Sequence, residues 1–184
     1  QVLNYARLSL FSPFIEVNTI QDVINKILGF DKVSYIALGV AASRSFNFSK
    51  EQNSSLQDFW RHSLCCATLA EQLAKNIDGQ HAINPTISYM MGLFHNFGLL
   101  LFAQLFPPEF KLLNKWLNLQ PKTAITSLED RLLGMGKAQH VLRGGHAKLG
   151  AWLLRHWEFP EQTLVVAKEH HNLKYQGKYA AYVN

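Results

Sequence analysis

Met91-Gly92-Leu93-Phe94-His95-Asn96-Phe97-Gly98-Leu99-Leu100 sits at the centre of the longest apolar run in the chain, Ile87 to Phe106. By length alone such a run could cross a bilayer, which takes about 20 residues of helix. His95, Asn96 and Gln104 interrupt it and no basic flank precedes it, so it reads as one buried helix and no membrane insertion is expected. The polar pair at its middle carries chemistry. A carboxylate after His95 could hold or bridge divalent cations and offset their charge, whereas Asn96 offers only a neutral amide oxygen. Gly98, about one turn past His95, leaves room for another backbone to come close.

Outward from this run, nearly every segment has helical periodicity. Upstream, Thr19 and Asp22 have capping-box spacing ahead of Ile20, Val23, Ile24, Ile27 and Leu28, with Gly29 as the stop. Asp31 caps a second helix to about Phe46. Ser55 with Asp58 opens a longer one to about Ile77, which Asp78-Gly79 ends. Asn84-Pro85 opens the helix that carries His95, because asparagine caps and proline fits the first helical position. Downstream, Pro107-Pro108 starts a helix to about Leu119, and Ser127 to Leu133 forms another piece. Gly144-Gly145 precedes a helix bearing His146, Trp152 and His156, and Pro160 begins the last clear one, to His170-His171. The pattern predicts an all-α, multi-helix bundle, with no strand hairpin, repeat or low-complexity linker.

A chain of 184 residues, 48% hydrophobic and 17% charged, can bury the core of one domain. The net charge of +5 and pI near 9.3 could suit nucleic acid. The cations are instead dispersed among acids, as in Glu129-Asp130-Arg131, which reads as a solvated surface, so nucleic-acid binding is disfavoured. The adjacent pair Cys65 and Cys66 has poor geometry for a mutual disulfide, and a reducing cytoplasm fits that usage. No export segment is visible from Gln1 onward.

Eight histidines stand in the chain, and His62, His95, His146, His170 and His171 fall inside or at the ends of predicted helices. Helix bundles build metal sites from side chains on several facing helices, so these five could converge. Each taken alone is more simply a half-buried imidazole with one backbone partner. His62 shares a face with Cys66 and Leu69. His170 and His171 lie about 100° apart if both are helical, so joint ligation needs a broad site or two metals.

Trp60-Arg61-His62-Ser63, Gly92-Leu93-Phe94-His95-Asn96-Phe97-Gly98, the run from Gly145-His146-Ala147 through Gly150-Ala151, Leu153-Leu154 and Trp157 to Pro160, and His170-His171-Asn172 occur in an order that resembles the HDOD family, HD-related output domains of bacterial signalling. Val2 to Ala6 and Ile20 to Ser45 resemble its N-terminal half. The resemblance implies a bundle of HD-domain type, a single HDOD-like domain over 1–184 that lacks the family's first and last segments. It is related to HD phosphohydrolases and HD-GYP cyclic-di-GMP phosphodiesterases. In those enzymes histidines matching His62 and His95, an aspartate at the place of Asn96 and a later aspartate bind metal. The HD-GYP branch adds a lysine at the place of Leu99 and histidines matching His146, His170 and His171. This chain keeps the imidazoles and loses the acids; the last aspartate would fall near or beyond Asn184. Met135 to Arg143 is longer than expected ahead of the Gly-His element.

The expectation is a non-enzymatic, cytoplasmic signalling or regulatory module. It has a vestigial metal pocket of His62, Asn96, His95, His146, His170 and His171, needs no cofactor and acts through signalling proteins. The alternative is a metal-dependent phosphohydrolase whose five imidazoles hold Fe, Ni, Zn or Mn. Phe46, Phe48, Phe106 and Phe110, near helix ends, are assigned to the core rather than to a partner surface.

Overall fold

In the computed structural model the residues described are 19, 21, 29–44, 46, 52–77, 83–133 and 144–184. Their regular elements are α1 (Gly29–Ser43), α2 (Gln52–Lys75), α3 (Pro85–Phe94), α4 (Phe97–Leu105), α5 (Pro107–Leu119), α6 (Ile125–Leu133), α7 (Gly145–His156), α8 (Glu161–Glu169) and the single turn α9 (Ala180–Val183). No strand occurs among the described residues. The predicted Thr19 helix, the Asp78-Gly79 stop, Phe48 and the Met135 to Arg143 stretch lie outside the described residues, apart from Thr19 and Gln21 themselves. Two compact units emerge, one drawn from Gln1–Ser45 and Asn53–Phe94, the other from Phe46–Gln52 and His95–Asn184.

In the first unit, α2 presents Trp60, Leu64, Ala67 and Ala74 on one buried stripe, at the spacing of a helical face. Gly39 of α1 lets the helix approach the Trp60 ring and Phe94, and Gly92 of α3 lies against the backbone of Ala67 and Cys66. A side chain at Gly92 would meet main-chain atoms, which cannot swing away. Glu71 falls on the same stripe, only 6% exposed. Lys32 Nζ at 2.7 Å and Lys75 Nζ at 2.9 Å neutralise it. Burial raises the Glu71 carboxyl, but the two lysines more than offset that and leave it below the usual value. The same Lys32 ammonium stands 5.3 Å from the centre of the fully buried Tyr89 ring.

The second unit is built on α4 and α7. Gly98 and Gly150 face each other where these helices cross, and a Cβ on Gly98 would collide with the carbonyl of His146 and the amide of Gly150. Phe97 and Phe46 stack edge-on to Trp157, at 6.0 and 6.3 Å between ring centres. Phe102 meets Phe106 and Phe110 at 6.0 Å each, joining α4 to α5. The core assignment holds for Phe46, which is buried, while Phe106 and Phe110 are half-buried.

Several expectations need revision. The run Ile87 to Phe106 is not one helix: α3 stops at Phe94, His95-Asn96 forms a turn, and α4 starts at Phe97. The 10 and 9 residues of the two helices are each too short to cross a bilayer. Among the described residues Pro85–Leu105 is the one stretch apolar enough to raise the question, and 61% of its most apolar 18 residues are buried. Helix α1 begins at Gly29 itself, with φ +77°, so Asp31 lies in its first turn instead of capping it. Helix α2 starts three residues before Ser55. By contrast Asn84 caps as expected, its Oδ1 accepting from the amides of Thr86 (2.9 Å) and Ile87 (3.1 Å).

Candidate metal centre

Three of the predicted histidines converge in the second unit. His146 stands at the second position of α7, after a Gly144-Gly145 turn whose φ values of +124° and +64° suit glycine. Helix α8 ends at Glu169; His170 caps it with helical backbone angles, its amide donating to the Val166 carbonyl at 3.0 Å, and His171 follows in the turn. Their rings lie 4.0 Å apart. The Nε2 atoms of His170 and His171 approach His146 Nε2 to 3.3 and 3.1 Å. Joint approach to one point is therefore available without a broad site, contrary to the expectation for two helical neighbours. One donor atom from each of the three lies within 4.8 Å of the others, a spacing that a single ion can bridge. The His95 ring stands edge-on to His170, 5.0 Å between centres.

The positions of the ring protons define what the group can hold. His170 Nδ1–H donates to the Ala167 carbonyl (2.9 Å), and His146 Nδ1–H donates to Glu129 Oε1 (2.7 Å). In those tautomers both Nε2 atoms bear lone pairs and face each other. His171 Nε2–H can donate to His146 Nε2, which leaves the His170 Nε2 lone pair as an acceptor that a metal ion could use. Burial, then the neighbouring His95, His171 and His146, push the His170 imidazolium down to about 2, which favours the neutral ring. Burial, then His146, also lowers His171, against an opposing pull from Glu129.

The solvated surface expected at Glu129-Asp130-Arg131 does not extend to its first residue. Glu129 is 4% exposed, on the inner side of α6 beside Leu128 and Leu132. Its Oε1 also accepts from the His146 amide at 3.2 Å. Arg131 turns instead to the Trp116 ring, 4.9 Å away. Sequence reasoning misses Glu129 because it lies 17 residues from its partner with no motif linking them; its place next to apolar Leu128, with Leu132 about a turn later, is the available signal.

Asn96 is at the N-cap position of α4 but does not cap, and its Oδ1 is buried without a hydrogen-bond partner among the described residues. A buried orphan acceptor is costly unless something binds it. The three imidazoles of His146, His170 and His171 are donors suited to a borderline transition ion such as iron, nickel or zinc, and among the described residues no carboxylate joins that group as a ligand. His62 belongs to the first unit, on α2, with Nε2 3.5 Å from Cys66 Sγ. Its face is more open than its spacing suggests, since His62 and Leu69 are exposed and Cys66 half-buried.

The all-helical fold is shared with known proteins. The HDOD domain model matches residues 1–173, and the chain belongs to that family. It is similar to the crystal structure of a proposed signal transduction protein from Marinobacter aquaeolei VT8, with 28% identity and a TM-score of 0.77 over 98% of this chain and 38% of that one. A proposed phosphohydrolase from Shewanella amazonensis SB2B shares the fold at 20% identity and a TM-score of 0.66, over 99% of this chain and 58% of that one. An uncharacterised protein of Treponema pallidum (strain Nichols) is 24% identical over 94% of this chain and 30% of its own length. The chain thus spans about a third of the length of the Marinobacter and Treponema proteins.

Proposed function

We propose that this domain is a non-enzymatic regulatory output module of a bacterial cytoplasmic signalling protein. It acts through protein partners and retains an HD-type centre able to hold one transition-metal ion. The observation that carries this reading is the donor set: three neutral imidazoles meet, and the residue in the acid's place is Asn96. A carboxylate between two close divalent cations offsets a mutual repulsion that is large at short range, and Asn96 cannot supply that charge. The 28% identical Marinobacter signal transduction protein supports the same direction. If bound, the ion would supply Lewis acidity and a more acidic bound water; His146, His170 and His171 would hold it.

Purified protein assayed with cyclic dinucleotides, nucleotides and p-nitrophenyl phosphate in the presence of Mn, Fe, Ni or Zn is expected to show no turnover. Robust hydrolysis abolished by His95→Ala would overturn the proposal in favour of a phosphohydrolase. The unspent Asn96 oxygen is the one observation favouring that second reading, as a fourth ligand to a catalytic ion.

A further inference from the structure

The centre has not lost all its negative charge. We infer that Glu129 is a positioning residue which stands in for the acid absent at position 96, locking His146 for metal capture from behind. This rests on the metal-binding capacity proposed above. A carboxylate accepting from the far nitrogen of a ligating histidine fixes its tautomer and raises its basicity. Glu129 has that geometry twice over, with Oε1 bound both to the ring N–H and to the main-chain amide of the same residue. The ring cannot rotate or present its protonated nitrogen to His170 and His171 without breaking the 2.7 Å bond.

Two further features belong to the arrangement. Gly145 supplies the room, since a Cβ there would collide with Glu129 Oε2. Among the described residues the imidazole of His146 is the sole ion-pair partner of Glu129, so its charge is not neutralised by lysine or arginine. A cation arriving at the Nε2 side therefore meets imidazole donors backed by the Glu129 carboxylate. That balance suits a single ion better than a pair.

The test uses the whole chain with Zn(II) as the probe. Imidazole nitrogen NMR of the metal-free protein should show His146 as the Nδ1–H tautomer. Glu129→Gln, which keeps an acceptor oxygen but removes the charge, should leave that tautomer in place and weaken Zn(II) binding about 10- to 100-fold. Glu129→Ala should lose the tautomer as well, and Glu129→Asp should restore part of the affinity. Wild-type tautomer and affinity in a folded Glu129→Ala protein would overturn the inference. So would wild-type Zn(II) affinity in Glu129→Gln, which also decides the matter if the alanine variant fails to fold. A wild-type protein that binds no Zn(II) defeats the metal reading and the stand-in charge with it, whereas the tautomer of Glu129→Ala separately reports whether His146 is positioned by this carboxylate.

Discussion

Among the described residues each unit buries one carboxylate, and the two are treated in opposite ways. Glu71 in the first unit is met by two ammonium groups at 2.7 and 2.9 Å, a closed arrangement whose charge is already balanced. Glu129 in the second is met by an imidazole N–H and a backbone amide, neither of which need be cationic. A buried charge that is balanced by fixed partners serves the fold; one left with neutral partners keeps a capacity for something added. The contrast separates a structural cluster from a candidate binding centre with no appeal to resemblance.

The most severe way to break the comparison is to remove the frame beneath the second carboxylate. Gly98→Ala should drive a methyl into the His146 carbonyl and Gly150 amide, costing about 3 kcal/mol by urea denaturation. A loss under about 1 kcal/mol would show that α4 and α7 are not held as closely as their crossing implies. Next in size, Glu71→Gln should cost about 2 kcal/mol, less than a fully buried pair because Lys75 is half exposed and solvent screens it. The sign with pH follows from the direction of the shift. Glu71 is held below its ordinary 4.5 when folded, so its stabilisation is present above 4.5 and is lost as pH falls through the lower folded value. Acid titration of stability should therefore be shallower in the glutamine variant; parallel curves would mean that the lysines contribute no net charge stabilisation. The smallest effect sharpens the other side: Asn96→Asp should tighten Mn(II) binding about tenfold, or about 1.4 kcal/mol, as read by calorimetry. Unchanged affinity would mean that charge at position 96 is not what limits the centre.

What the sequence discloses is local. Asn84-Pro85 and Pro107-Pro108 mark helix starts because the cap and the missing amide act within a few residues, and both starts stand where expected. The turn at His95-Asn96 is hidden because apolar residues continue without a break on either side, and periodicity gives no sign when two helices share one hydrophobic run. Order and resemblance suffice to nominate six candidate residues, but not to show that His146, His170 and His171 meet. His170 and His171 converge at the very end of α8, where the boundary lies within the usual error of pattern reading. Glu71 and Glu129 are both invisible as buried acids: one sits in an apolar stripe and the other in a charged triplet, and only the fold reveals what each faces.

The crossing of Gly98 with Gly150 also sets a mechanical rule. Gly150 lies beneath the His95 carbonyl, and Gly98 beneath that of His146, so the two histidines are geared main chain to main chain. Their spacing is then a property of the skeleton, insensitive to which side chains fill the surrounding core. Drift elsewhere can retune how firmly the domain holds together while the interval between these two stretches of main chain stays calibrated.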